Sequence, residues 1–406
     1  MNKNLLKQSI FGVLDQLFSS LLIFGINIYF ARKLYINEIG IFALVFASFG
    51  FAQVIQQAIL ERPFLIRKNI FNLKIIIKRF AAIIIILFLS VLYFYFSDTN
   101  TLPNNSLNPL FIIPWLVLGV VQLLFNLVRV YFYTINNEKI AFLMSFFSTS
   151  CIFLVFILGQ NYIEKRITIF MFLISLVKLI TILFFLSYFT KIDNTDLTED
   201  SSNIQYINLI LISLSVFLKG RFLVFYLANF AFTLAGLYEI LRNILEIVLM
   251  PFRPISQTLL NKFSSERKKK ISIPLTLFTV FCLGALVISS LFYFAIEYLY
   301  SLYNISYLST ETLNLYLVVF VFVSILIIPI NASLLAYKHF LDELLVKVIP
   351  TFYLIFNVLL SSEIQNMEYF MRIISTSAVI EALLAILFLT FRKYFSRDKI
   401  NKVTNF

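Results

Sequence analysis

Four basic side chains, Lys178, Lys219, Arg221 and Arg242, interrupt long runs of apolar residues, and four carboxylates, Asp15, Glu239, Glu246 and Glu381, do the same. Charges in such surroundings have two uses. They neutralise one another, or they hold a mobile charge such as a proton, a metal cation or an anionic group on a ligand. Facing hydrocarbon, each basic residue would cost about 2.5 to 3.5 kcal/mol on an insertion scale, so all four must face protein or water. Lys347 and Arg372 also fall in apolar runs but nearer their ends, where a long side chain reaches the headgroups, and they read as structural.

Spacing separates these charges further. Lys219 and Arg221 are two residues apart, about 200° around a helix, so at most one of them squarely lines a central cavity. No acidic residue lies within a turn of either, which leaves their charge for another helix or for an anionic ligand. With Arg242 and Lys178 they form the candidate substrate-binding set. Glu239, Arg242 and Glu246 follow an i, i+3, i+7 spacing that stacks them along one helix face, either as a self-neutralising stripe or as a ligand contact. Asp15 is followed by Gln16, Ser19 and Ser20, a polar strip on part of one face. A buried carboxylate pairs with a cation or takes up a proton. Asp15 is therefore a coupling-ion candidate, together with Glu239 and Glu246, or else the partner of a basic residue on the seventh helix.

Other chemistry lacks its residues. The single histidine, His339, is incompatible with any multi-histidine metal site, and Cys151 and Cys282 sit far apart in apolar stretches, where they read as packing residues. No phosphate-cradling G-x-x-x-x-G-K-[ST] loop exists. The two longest external loops, expected at Ser97 to Pro109 and Ala295 to Thr312, hold no Lys, Arg or His and no carboxylate pair at D-x-D spacing. Neither a catalytic role nor a cofactor is expected.

The elements that must position these charges are membrane helices. Of 406 residues, 60% are apolar and only 13% charged, with a mean hydropathy of +0.91, about half the charge a soluble surface needs. Runs such as Ala81 to Phe96 are continuously apolar, which argues for helices over alternating barrel strands. The chain is accordingly expected to be all-α, with about twelve transmembrane helices. They fall near residues 9–31, 39–60, 75–96, 110–132, 140–158 and 167–190, then 206–228, 231–250, 272–294, 313–335, 342–360 and 369–391. The first is too long for a signal peptide and no A-x-A-like cleavage site follows it, so it should be retained. With the N-terminus placed inside, twenty-three of the 33 basic residues, counting Arg129, fall in cytoplasmic segments, and four, Arg32, Lys33, Lys165 and Arg166, fall outside. Both termini are thus expected to be cytoplasmic. The net charge of +12 comes with no nucleic-acid motif, so basic loops such as Arg267 to Lys270 are assigned to topology and lipid headgroups.

The most polar stretch, Lys191 to Asn203, divides the spans six and six. The expected organisation is an N-terminal lobe over 1–190, a linker over 191–205, a C-terminal lobe over 206–391 and a basic tail over 392–406. Parallel repeats of this kind are a known transporter plan. A faint echo supports it: Glu38-Ile39-Gly40-Ile41-Phe42 opens the second span and Leu234-Ala235-Gly236-Leu237-Tyr238 the eighth.

Three blocks near the N-terminus carry a family resemblance. They are Leu14-Asp15-Gln16-Leu17-Phe18-Ser19-Ser20-Leu21-Leu22, Ala31-Arg32-Lys33-Leu34 and Glu38-Ile39-Gly40-Ile41-Phe42-Ala43-Leu44. This region resembles the start of oligosaccharide flippases, the Wzx-type O-antigen and capsule repeat-unit translocases of the multidrug, oligosaccharidyl-lipid and polysaccharide exporter superfamily. Tyr35 departs from the glycine usual there. The resemblance implies a flippase of the bacterial inner membrane that moves an undecaprenyl-diphosphate-linked oligosaccharide between leaflets by alternating access, with a polysaccharide polymerase and a chain-length regulator as further partners. It implies that the basic set meets the diphosphate and that Gln53, Gln56 and Asn27 hold the sugar. The rivals are a multidrug exporter of the same superfamily, against which the excess of deep basic residues argues, a membrane polymerase or ligase, and a structural scaffold of an export complex.

Overall fold

The computed structural model describes residues 36–61, 73–97, 109–134, 137–163, 167–186, 203–249, 275–336, 340–361 and 366–403, with single positions between 11 and 32 and between 251 and 273. Among the described residues all regular structure is helical. In chain order the helices are α1 (Ile36–Gln56, ending in a π-turn at Gln57–Glu61), α2 (Leu73–Ser97), α3 (Pro109–Thr134), α4 (Glu138–Ile163) and α5 (Ile167–Leu186). Then come α6 (Asn203–Ala228), α7 (Phe232–Leu249), α8 (Leu275–Leu302), α9 (Glu311–Leu326), α10 (Ile328–Ala336), α11 (Phe340–Leu359) and α12 (Met367–Val403). Positions Phe11, Asp15, Phe18 and Tyr29 are also helical. The polar stretch from residue 187 to 202, His339 and the loop Arg267 to Lys270 lie outside the described residues.

Six helical stretches among the described residues, one of them α9 and α10 taken together, are long and apolar enough to cross a membrane. Leu158 and Phe294 are about four-fifths exposed, an arrangement that lipid as solvent makes favourable. Helices α7 and α11 fall short on composition because they carry Glu239, Arg242 and Glu246, and Asp342, Glu343 and Lys347. A helix so charged crosses hydrocarbon only where its neighbours supply counter-charges.

The chain forms two compact units, Met1–Ser202 and Asn203–Phe406. In the first, α3 lies against α5, α4 and α2. Trp115 is buried there, and Gly119 admits the close approach of neighbouring helices: a Cβ at this position would stand 2.8 Å from a Phe49 ring carbon and 3.1 Å from Leu87. In the second unit α6 packs on α11 and α7, α12 packs on both α9 and α11, and α8 packs on α9. The glycines of the repeated triplet, Gly40 and Gly236, are each buried in the first turns of α1 and α7.

Three boundaries differ from expectation. The span expected at 313–335 is two helices, parted at Ile327, because Pro329 has no amide proton for the Ile325 carbonyl. Helix α8 runs on through Leu302, so the external loop expected from Ala295 starts later. The helix ends where Asn304 takes a φ of 59°, the Ile305 amide donates to Tyr300 O at 3.0 Å and the Asn304 amide to Ser301 O at 3.2 Å. That is a Schellman closure with asparagine in place of glycine. Finally, the basic stretch from residue 392 continues α12 to Val403.

Candidate functional site

Helix α6 presents Lys219 and Arg221 in opposite directions, as their spacing requires. Lys219 Nζ donates to Glu381 Oε2 of α12 at 2.6 Å, and Arg221 Nη1 donates to both oxygens of Glu239 on α7, at 3.0 and 2.8 Å. Each carboxylate is shared. Glu381 also accepts from Lys347 of α11, so one carboxylate joins three helices. Lys347 in turn stands 3.9 Å from the buried Glu343, one turn earlier on its own helix. Glu239 accepts from Arg242 Nε at 3.0 Å and from Arg242 Nη2 at 2.7 Å, a side-on fork that with Arg221 engages both of its oxygens twice. Arg242 also donates to Glu246. Four cations and four carboxylates thus form two chains of alternating sign.

Hydroxyl-to-carbonyl bonds fix the helices that carry these charges. Thr351 Oγ1 lies 3.2 Å from Ser215 O, tying α11 to α6. Ser377 Oγ donates to Pro350 O at 3.0 Å and Ser375 Oγ to Tyr316 O at 2.6 Å, tying α12 to α11 and to α9. Both ion-pair chains border a cavity of about 280 Å³ whose lining includes Lys219, Lys347, Glu381, Arg242 and Glu246. Leu245, Phe320, Val323, Ile327 and Ile374 form its apolar wall.

The deep charges described in the first unit are held differently. Asp15 is buried, accepts a hydrogen bond from the Tyr133 hydroxyl and stands 3.4 Å from Arg129 Nε. Lys178 of α5 donates to Gln122 Oε1 and lies 5.5 Å from the centre of the Phe125 ring. Gln122 Nε2 passes the bond on to Asn126 Oδ1 at 3.0 Å. Among the described residues no carboxylate pairs with Lys178. It is solvated by amide oxygen and an aromatic face.

Several expectations change here. Asp15 pairs with Arg129 of α3 rather than with a residue of the seventh span. Arg129, assigned to a cytoplasmic loop, lies inside α3 because that helix runs to Thr134. Lys347, taken as a snorkelling residue, is directed inward to Glu381 and lines the cavity. Arg372 is exposed, with its guanidinium 5.0 Å from the Tyr369 ring centre, as a residue near a span end should be. Gln56 is not poised for a sugar: it is buried, donating at 3.0 Å to both Glu61 Oε1 and Leu123 O. Asn27, Gln16, Ser19 and Ser20 lie outside the described residues, and Gln53 is half-buried on α1. Sequence reasoning gave Glu343 no role; its spacing of four residues from Lys347 was the available signal.

No family model matches the chain. A search of curated proteins finds no match either. Solved structures do match over nearly the whole length. An outward-facing multidrug resistance MATE family transporter of the MOP superfamily is 14% identical, covers 96% of this chain and 95% of its own, and superposes with a TM-score of 0.64. A Vibrio cholerae MATE transporter is also 14% identical over 97% of both chains, with a TM-score of 0.64. A MATE protein in a bent conformation is 13% identical over 97% of both, with a TM-score of 0.60. The fold is therefore the all-α, twelve-span, two-lobe fold of MATE transporters, and the chain is a multi-pass membrane protein.

Proposed function

We propose that this protein is a secondary exporter of amphipathic organic compounds, working by alternating access on a MATE-type fold. The observation that carries this reading is the likeness to MATE transporters along 97% of the chain. The site removes the main objection to it. The deep cations Lys219, Arg221, Arg242 and Lys347 are matched by carboxylates, so they no longer argue for an anionic cargo. Asp15 is the coupling residue of this proposal. Glu239 has both oxygens engaged by two guanidinium groups, whereas among the described residues Asp15 meets one hydroxyl and one more distant cation, and its Oδ1 accepts no hydrogen bond.

The test is efflux from inverted membrane vesicles of a drug-hypersusceptible bacterial host. Expression should give proton-dependent accumulation of lipophilic dye cations, lost at least tenfold in Asp15→Asn with unchanged protein level. No accumulation of any dye would sink this reading. The second reading is the lipid-linked oligosaccharide flippase, and Lys178 favours it as a half-buried cation that meets no carboxylate among the described residues. In a strain lacking the gene, loss of surface polymer with accumulation of complete repeat units on the cytoplasmic leaflet would select it.

A further inference from the structure

The cavity of the second unit differs from a drug or lipid-sugar pathway in size and in the signs of the charges that line it. At about 280 Å³ it sits at the small end of ligand sites, which run from roughly 300 to 1,000 Å³. A lipid-linked oligosaccharide does not fit. Every residue around it belongs to α6, α7, α9, α11 or α12 or is Ile327 at the α9–α10 junction, so it is a feature of one unit alone.

Its walls define the chemistry it accepts. Lys219, Lys347 and Arg242 bring cations to the polar wall, and Glu381 and Glu246 bring anions. Beyond the rim Glu239, Arg221 and Glu343 complete a balanced set of eight. A ligand with one net charge would leave that charge, or one of the wall's, unmatched in a medium of low dielectric constant. A ligand carrying both signs can exchange partners with a wall pair and leave no charge over. An uncharged ligand would gain nothing from the polar wall. The rest of the lining, with Leu245, Phe320, Val323 and Ile374, asks for an apolar body.

One position leaves a way in for experiment. Gly220, between Lys219 and Arg221, lines the cavity, and a Cβ built there meets nothing within 4 Å. The space beside it is open, so a methyl group is accommodated without displacing a neighbour, and an aromatic side chain would take up room at the cavity's edge.

We propose that this chamber within the second unit is a binding site for a small zwitterion with an apolar side, held by exchange with the Lys219–Glu381 and Arg242–Glu246 pairs. This site stands independently of the exporter reading, because its occupancy is measured on purified protein without transport. The probes are L-phenylalanine, its methyl ester and N-acetyl-phenylalanine, which at mildly acidic pH, where the ester's amine is protonated, present one body as a zwitterion, a cation and an anion. Binding to the detergent-purified full chain is followed by calorimetry and by thermal stabilisation. Phenylalanine is expected to bind about tenfold or more tightly than either singly charged relative, a difference of about 1.4 kcal/mol. Gly220→Phe should abolish that binding and Gly220→Ala should keep it. Equal or tighter binding of the ester or the acetyl compound overturns the proposal, as does absence of binding by all three. Undiminished phenylalanine binding in a folded Gly220→Phe protein overturns it too. The ligand ranking on the wild-type protein decides the matter even where Gly220→Phe fails to fold.

Discussion

The two units solve the problem of buried charge in different ways. In the second, charges come in matched sets that cross between helices: Lys219, Glu381 and Lys347 belong to α6, α12 and α11, and Arg221 and Glu239 to α6 and α7. In the first, Lys178 rests on the amide of Gln122 and the face of Phe125, and Asp15 shares one hydroxyl and one guanidinium. A matched set is rigid, because removing one member strands another. A charge solvated by amides has neutral neighbours that lose little when it leaves. The comparison makes the second unit the electrostatically locked half and the first the half in which, among the described residues, Lys178 meets no carboxylate.

The sharpest way to break the comparison is Glu381→Gln. It leaves two lysines facing each other in the interior, and loss of one partner of a buried pair costs about 3 to 5 kcal/mol. Thermal unfolding in detergent should fall accordingly, and adding Lys219→Met should recover part of the loss. A change below about 1 kcal/mol would show that water screens the site. Next in size is Gly119→Ala, which forces a methyl group against Phe49 and Leu87 in the first unit and should cost about 1 to 3 kcal/mol in the same assay. Lys178→Met sharpens the contrast directly. Removing an unmatched cation should leave stability within about 1 kcal/mol or raise it, whereas Lys219→Met should lower it by several kcal/mol. Equal losses in the two would erase the distinction between the units. The smallest effect is expected at Gly220→Ala, a gain of about 0.5 to 1 kcal/mol from helix propensity, since nothing stands in the way of the methyl group.

Helix positions were legible in the sequence because hydrocarbon demands long apolar runs, and every described span lies close to where such a run predicts it. Local charge pairing was legible as well: Glu239, Arg242 and Glu246 meet as their spacing requires. Pairing across the chain was not. Lys219 and Glu381 are separated by 162 residues, and nothing in either neighbourhood marks the other. Arg129 and Lys347 were misplaced for a related reason. Hydropathy locates where an apolar run fades, yet a helix goes on while its charged residues have partners inside, as Arg129 does in Asp15 and Lys347 in Glu381. The break at Ile327 was readable from Pro329, but an apolar run through the proline reads as one span.

The balance of the eight-residue set has an electrical consequence. A membrane potential does work of about 2.3 kcal/mol per elementary charge per 100 mV on any charge that moves through it. A group of charges that cancel and move together presents no such handle, so the voltage leaves a rearrangement of these eight almost unbiased. Lys178, carried by the first unit, meets no carboxylate among the described residues. Current flowing during turnover would then report on charges such as Lys178 and on the transported species, while the eight-residue set moves silently.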